Sequence, residues 1–285
     1  MKASLILATL GRTDDVGHAI RSLAAQSDRR FELIVVDQNP DDRLVPYLDE
    51  GARAGLGITH LRLDRPSLSG ARNLGLAEAS GDIVAFPDDD CWYEPDTIKH
   101  LLAAFEANAS LDGLIGHWVE QAAAQNQTPR SVLLSNDDWR RFRGGNASSI
   151  TLFIKRQLLV ELGGFDERFG VGRWYGAGEE TDLIFRALEA GAKLLSMPEI
   201  RVHHRFSTQK TAPLLEDCRN ARKRARGTGG LYAKHRLDTW IVVRGLLAPV
   251  IYPILKAEFR STFRGIFVSL GRLEGMTAWH WKETG

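Results

Sequence analysis

The sequence predicts an α/β protein, a mostly parallel sheet flanked by helices and followed by a helical C-terminal extension. Three observations carry that expectation. Short apolar runs alternate with stretches of helical periodicity through the first hundred residues, the pattern of buried strands joined by right-handed helical crossovers. Three of those runs end at or just before polar residues, Thr9, Asp37 and Asp88, and in open parallel sheets ligands gather beyond the carboxyl ends of the strands. Charge is also unevenly shared: residues 201–285 carry 16 Lys and Arg against 6 Asp and Glu, whereas residues 1–200 carry 21 against 30.

Taken in order, Ala3–Thr9 predicts the first strand. A polar turn, Gly11 to Asp15, leads to Val16, Ala19, Ile20 and Leu23 at helical spacing. Phe31–Asp37 and Ile58–Leu63 predict the second and third strands, Gly70–Ala79 a helix, and Ile83–Phe86 the fourth strand. Glu94–Ala107 reads as a helix with Pro95 near its start. From 110 to 175 the signals mix, with apolar runs at Leu114–Val119 and Ser149–Ile154 and a helix from Lys155 to Leu162. Another helix starts within Glu179–Asp182 and runs to about Ala190, where Gly191 stops it; Leu194–Met197 and Arg201–His204 predict two short strands. The domain division that follows is 1–110, 111–210 and 211–285.

Composition narrows the function. Hydrophobic residues make up 44% and charged residues 26%, ordinary globular usage that excludes a disordered or fibrous chain. Two cysteines, Cys91 and Cys218, cannot build a disulfide framework or a four-cysteine zinc site, and they point to a reducing, cytosolic setting. The apolar start, Met1–Leu10, stops too soon for a spanning helix and lacks a small-residue cleavage site, so it is expected to be a buried strand. The apolar stretch Trp240–Leu255 is interrupted by Arg244, Pro249 and Pro253 and makes no clean span.

The sharpest motif is Asp88-Asp89-Asp90 after the apolar run Ile83–Phe86. Three carboxylates in a partly dry crevice repel one another, and a divalent cation relieves that repulsion; oxygen ligands suit Mg²⁺ or Mn²⁺. Upstream, Ser69-Gly-Ala-Arg72-Asn73 opens a helix with a cation in its first turn, suited to phosphate or to the oxygens of a pyrimidine. A third constellation, Gly178-Glu179-Glu180-Thr181-Asp182, sets acids in the first turn of another helix. Glu179 and Asp182 lie one helical step apart while Glu180 points elsewhere, so their roles should differ. A carboxylate beside a Gly-rich loop can serve as a general base, which makes Glu180, Glu179 and Asp182 the candidate catalytic residues.

Together Leu7–Arg12, Val36-Asp37, Ala71–Leu76, the aspartate triplet and Gly178–Leu183 resemble the inverting glycosyltransferases of family 2, over roughly residues 3–205. The resemblance implies the Rossmann-like GT-A fold, with 1–110 as the nucleotide-sugar half and 111–210 as the half holding acceptor and base. It implies that Thr9 and Asp37 line the base and ribose pocket of a nucleotide-sugar donor, with Arg12 close by. Arg72 falls near the uracil or diphosphate, and Asp88 and Asp89 at the donor. Asp90 is the implied direct ligand of Mn²⁺ or Mg²⁺, with Asp88 near the ribose or metal. Glu180 stands where relatives carry the catalytic base; there the family usually has Asp, so Glu179 is the second candidate. His203 and His204 match a region where relatives place a histidine near the metal. Adjacent strand residues face opposite ways, so at most one of them can easily reach the site, with His204 preferred. After Asp37, Gln38-Asn39-Pro40 departs from the family's usual turn.

The segment Trp139–Tyr175, with Arg140, Arg141, Arg143, Asn146 and Trp174, is the expected acceptor region, since aromatic faces suit sugar rings. In the basic extension, Arg219, Arg222, Lys223, Arg224 and Arg226 cluster within eight residues. Lys256, Arg260 and Arg264 recur every four residues beside a stripe of Phe259, Phe263, Ile266, Phe267 and Leu270. That pairing predicts a helix lying on an anionic membrane surface, hence a peripheral protein at the inner face of the membrane with a glycan or lipid-linked acceptor. Nucleic acid is not expected, because no nucleic-acid fold accompanies the patch. The leading reading is a metal-dependent glycosyltransferase in polysaccharide or cell-envelope glycan synthesis. A sugar-phosphate nucleotidyltransferase would show a Gly-rich basic loop after the first strand, which Leu10–Asp15 lacks. A non-catalytic membrane scaffold would not need the intact acidic motifs.

Overall fold

The runs Ala3–Thr9 (β1) and Phe31–Asp37 (β2) form strands over the residues the sequence marks. Nearly every side chain in both is buried, as parallel strands covered on two faces require. Between them α1 spans Asp14–Ala24 and buries Val16, Ala19, Ile20 and Leu23. The chain continues through α2 (Val45–Arg53), β3 (Ile58–Arg62), α3 (Leu68–Glu78), β4 (Ile83–Ala85), β5 (Cys91–Tyr93), α4 (Thr97–Ala107) and β6 (Gly113–Trp118). Then follow β7 (Val132–Leu133), α5 (Asn136–Arg140), β8 (Leu152–Lys155), α6 (Arg156–Glu161), α7 (Glu179–Glu189) and β9 (Leu194–His204). The C-terminal extension is helical: α8 (Leu214–Lys234), α9 (Thr239–Leu255) and α10 (Phe259–Glu283). Residues 1–120, 130–142, 147–204 and 213–283 are described in this computed structural model.

The chain divides into two units, Met1–Phe165 with Arg186–Phe206 and Asp166–Phe185 with Ser207–Gly285. The first holds the sheet, ordered β3-β2-β1-β4-β8-β6-β9-β5 with β7 against β9. Strands β3, β2, β1 and β4 are parallel, and β8 and β5 run antiparallel to their neighbours. The two short strands expected at Leu194–Met197 and Arg201–His204 are one strand, β9. Pro198 lies where its pairing with β6 slips, between Ser196 opposite Ile115 and Arg201 opposite His117. A bulge tolerates a residue with no N–H to give, so the proline does not end the strand.

The second unit has its own apolar cluster of Phe169, Tyr175, Leu231, Ala233 and Trp279. Helices α8 and α10 approach at glycines: an added Cβ at Gly229 or Gly275 would meet the backbone of Arg272 or Arg226. The stretch Trp240–Leu255 is one helix with Pro249 and Pro253 inside it. Pro249 cannot donate to the carbonyl of Gly245 four residues back. The Arg272 guanidinium donates to that carbonyl instead, and Ser269 Oγ donates to the neighbouring Leu246 carbonyl at 2.6 Å. Lys256, expected on the same helix as Arg260 and Arg264, falls in the turn between α9 and α10, where Ala257 takes a φ of 54°. Among the described residues no helix is long and apolar enough to cross a membrane.

Candidate functional site

The parallel register brings the polar strand ends together. Thr9 at the end of β1 sits beside Asp37 at the end of β2, and Ala8 bridges to Asp88. The three ends singled out in the sequence therefore form one rim, all in the first unit.

On that rim Asp37 is fully buried and already engaged. Its Oδ1 accepts from the Asn39 backbone N–H at 2.9 Å and from Asn39 Nδ2 at 2.7 Å. Its Oδ2 faces His60 Nε2 at 3.1 Å and Arg62 at 3.2 Å. Asn39 Oδ1 in turn accepts from the Gly11 N–H at 2.6 Å, tying the β2 exit to the turn after β1. Gln38 Oε1 accepts from the Ser67 N–H at 2.7 Å just before α3. Gln38 and Asn39, noted in the sequence only as a departure from a motif, are thus the buried ties of the rim.

Each aspartate of the triplet has different company. Asp88 accepts from Arg72 at 3.1 Å. Asp89 is buried and accepts from Thr9 Oγ1 at 2.7 Å. Burial pushes the Asp89 carboxyl up to about 6, against the Thr9 hydrogen bond and the charge of Arg12. Asp90 pairs with Arg12, and its Oδ1 lies 2.9 Å from His204 Nε2. Burial opposes its charge, but the contacts with His204 and Arg12 outweigh that and hold its carboxyl below the usual range. The bond to Asp90 raises the His204 imidazole. Arg12, largely exposed, also reaches Asp89 at 3.3 Å.

Arg72 is a buried cation in the wall of the rim. It is 2% exposed on α3, whose start is capped by Ser67 Oγ accepting from the Gly70 N–H at 3.1 Å. Its guanidinium donates to Ser149 Oγ at 2.9 Å as well as to Asp88. It also lies over the rings of Phe86 and Phe165, 5.9 and 5.3 Å from their centroids. Gly75 lets α3 lie against Ile6, where a Cβ would collide. Ser149 and Phe165 fall in the segment expected to meet the acceptor, but nothing in the sequence pointed to their contact with Arg72, which lies far off in the chain.

Asp88, Asp90, Cys91 and His204 each offer a ligand atom within 4.8 Å of the others. His204 Nδ1 is buried with no hydrogen-bond partner among the described residues. Two carboxylates and an imidazole suit Mn²⁺ or Mg²⁺. Cys91 fits less well, since burial pushes its thiol well above the ordinary range and a thiol ligand must lose its proton. The neighbouring His203 turns the other way, stacking on Trp92 at 5.1 Å and facing Glu120 at 2.8 Å and Glu94 at 3.0 Å.

The acidic motif at the start of α7 lies in the second unit, within Asp166–Phe185. Glu179 is 5% exposed, Glu180 is half-buried, and Asp182 is wholly buried. Asp182 Oδ1 lies 2.6 Å from Lys234 Nζ and 2.9 Å from His235 Nε2, with the His235 ring stacked on Phe185. Lys234 also reaches Asp166 at 2.7 Å. Glu180 Oε1 accepts from Thr181 Oγ1 at 3.4 Å. Lys234 and His235, twenty residues into a helix read only as basic, left no local signal of this role.

Of the expected acceptor residues, Trp139 is buried, and Arg140 pairs with Glu189 at 3.0 Å. Trp174 is 42% exposed beneath the Arg226 guanidinium, 4.8 Å from the ring centroid. Arg143 and Asn146 lie outside the described residues.

A family model described as Glycosyl transferase family 2 matches residues 4–154. Glucosyl-dolichyl phosphate glucuronosyltransferase of Haloferax volcanii is 25% identical over 223 residues, 74% of this chain and 71% of that protein. Probable glycosyltransferase YdaM of Bacillus subtilis is 22% identical over 182 residues, 59% of this chain and 42% of that protein. Among solved structures, mannosyltransferase PcManGT from Pyrobaculum calidifontis, in complex with GDP-Man and Mn²⁺, aligns with a TM-score of 0.66 at 14% identity, covering 99% of this chain and 88% of that one. S. aureus TarS 1–349 in complex with UDP-GlcNAc aligns with a TM-score of 0.60 at 15% identity, covering 93% and 90%. At such identities the structural likeness speaks for a shared fold.

Proposed function

The chain belongs to glycosyl transferase family 2, and on that premise we propose that it moves a sugar from a nucleoside-diphosphate donor to a hydroxyl of a glycan or lipid-linked acceptor, with a divalent metal and with inversion. The observation that carries the proposal is the gathering of Asp88, Asp90 and His204 at the rim that Thr9, Asp37 and Arg72 build. The names of the similar proteins, a glucuronosyltransferase and a mannosyltransferase with GDP-Man and Mn²⁺, support the same class.

In this reading Asp88, Asp90 and His204 hold Mn²⁺ or Mg²⁺, which when bound supplies positive charge to the departing diphosphate. Arg72 keeps Asp88 aimed and adds fixed positive charge to the wall. Arg12, reaching across Asp89 and Asp90 from the exposed side, contacts the diphosphate. Thr9 and Asp89 hold each other at the base of the pocket. Asp37 shapes the nucleotide pocket through Asn39 and the Gly11 amide rather than as a free carboxylate. Trp174 offers its face to the acceptor.

Glu180 takes the proton from the acceptor hydroxyl as that oxygen attacks the anomeric carbon opposite the leaving group. Among the acids opening α7, its half-exposed carboxyl is the most accessible to an incoming hydroxyl, with Glu179 the second candidate. Asp182, closed in by Lys234 and His235, anchors the helix.

The extension is proposed to rest on an anionic membrane surface at the inner face. Trp240, Leu247, Tyr252, Leu255 and Phe259 are all exposed, with exposed Lys256 and Arg260 and half-buried Arg244 among them. Retention on vesicles containing anionic lipid tests this.

The deciding experiment is a panel of UDP-, GDP- and dTDP-sugars, read by thermal shift and donor turnover with Mn²⁺, Mg²⁺ or EDTA. One nucleotide series should stabilise the protein and turn over only with metal. Equal turnover in EDTA would remove the metal from the mechanism, and no response to any donor would remove the transferase reading.

A further inference from the structure

The second unit contains a cavity of about 640 Å³ lined by Arg173, Lys223, Arg224, Arg226 and Arg264, with Asp217 the one acid among its described lining residues. Its shape comes from the loop before α7. Positive φ at Gly170, Gly172 and Gly178 (105°, 89° and 99°) folds that loop back. Gly176 lies so near α8 that a Cβ would stand 3.1 Å from the Lys223 carbonyl. Trp174, on the same loop, forms one wall.

Several of the cations are held in place. Arg226 is fixed by Glu274 at 2.9 Å and lies over Trp174, and Arg264 is fixed by Asp217 at 3.2 Å. Lys223 and Arg224 are exposed, and neither is paired with an acid among the described residues. Fixed guanidinium groups joined by a lysine, around a space of ligand size, match a phosphate or diphosphate in charge and in hydrogen-bonding geometry. The flat Trp174 face beside them suits the sugar or hydrocarbon that such a group carries.

We propose that this cavity binds the phosphate or diphosphate of the acceptor, so that the acceptor is a phosphate ester rather than a neutral glycan. The assignment to the acceptor rests on the reading of Glu180 as base. Trp174 and Gly176 line the cavity and lie within six residues of Glu180 on the loop leading into α7, which is why we assign the cavity to the molecule whose hydroxyl Glu180 serves.

The test is calorimetric titration of the full chain with inorganic pyrophosphate and with geranyl diphosphate in EDTA, which keeps the aspartate cluster from holding the anion through a metal. Both ligands should bind, and Lys223→Ala/Arg224→Ala should weaken each by about tenfold or more, since both positions are exposed and the fold should persist. With a phosphorylated acceptor the double variant should raise KM while kcat stays close to that of the parent. Absence of pyrophosphate binding, or equal binding by parent and variant, would overturn the inference. Loss of retention on phosphatidylglycerol vesicles with geranyl diphosphate binding intact would also overturn it, making the cavity a site for bulk lipid headgroups. Metal-dependent donor turnover in the same preparation is a separate readout. If it failed while pyrophosphate still bound, the transferase reading would fall and the anion site would stand.

Discussion

His204 Nε2 lies 2.9 Å from Asp90 Oδ1 because β5 leaves the aspartate triplet at once and pairs Cys91 with His204. A histidine more than a hundred residues away is thereby set opposite the last aspartate by strand register alone. If this pair holds the metal, His204→Ala should weaken Mn²⁺ more than Mg²⁺, since the nitrogen ligand favours manganese. Asp90→Asn should weaken both. Mn²⁺ titration followed by electron paramagnetic resonance, with Mg²⁺ as competitor, measures the ratio. An unchanged Mn²⁺/Mg²⁺ preference in His204→Ala would remove the imidazole from the site.

Arg72 is a second test of the rim. Its replacement by Ala removes the hydrogen bonds to Asp88 and Ser149 Oγ and takes the cation from beside the rings of Phe86 and Phe165. Losing a charged hydrogen bond and a desolvated cation–π contact should cost about 2–4 kcal/mol in a urea unfolding experiment. Arg72→Lys should recover less than half of this, because a point charge cannot serve Asp88 and Ser149 together across both rings. Full recovery by lysine would mean that charge alone matters there.

Glu180 and Asp182 sit two residues apart on α7 and should fail differently. Glu180→Gln should lower turnover by about 10²–10⁴ at nearly unchanged thermal stability, as loss of a general base would. Asp182→Asn loses the ion pair that buried Asp182 makes with half-buried Lys234 and should destabilise by roughly 1–3 kcal/mol. Paired melting curves and steady-state rates separate them. A Glu180→Gln enzyme of full activity would pass the role to Glu179.

Legibility in the sequence followed how much of each signal is local. Strands β1 and β2 could be read to the residue because burial on both faces demands unbroken apolar runs. The short helix α2 left no clear trace, since it buries only Leu48 and Gly51. Strand β5 was hidden by its three-residue length behind a conspicuous acidic motif. Pro198 looked like a strand end because the slip that accommodates it is a property of the pairing with β6, invisible in one strand. At the site, Thr9, Asp37, Arg72 and the triplet stood out as polar residues at strand and helix ends. Asn39 matters through the Gly11 amide after β1, and Ser149, Lys234 and His235 through contacts made across the sheet or between helices; their own neighbourhoods in the chain carry no mark of these distant partners.

Glu32 offers a pH test away from the site. Its carboxylate joins β2 to the chain on either side, accepting from Lys2 Nζ at 2.8 Å, Ser4 Oγ at 2.5 Å and the Ser80 N–H at 2.8 Å. Burial opposes the charge, but these donors outweigh it and bring the carboxyl down to about 2 from its ordinary 4.5. The unfolded chain therefore binds the proton first as pH falls, and the folded state loses this support between pH 4.5 and about 2. Above that window the contribution is complete. Glu32→Gln should lower Tm at pH 7 by roughly 2–4 °C, equivalent to about 1 kcal/mol. Differential scanning calorimetry of parent and variant from pH 7 to 3 should show the gap narrowing only below about pH 4.5. A gap that stayed constant down to pH 3 would show that packing or hydrogen bonding of the neutral side chain, not its charge, fastens β2.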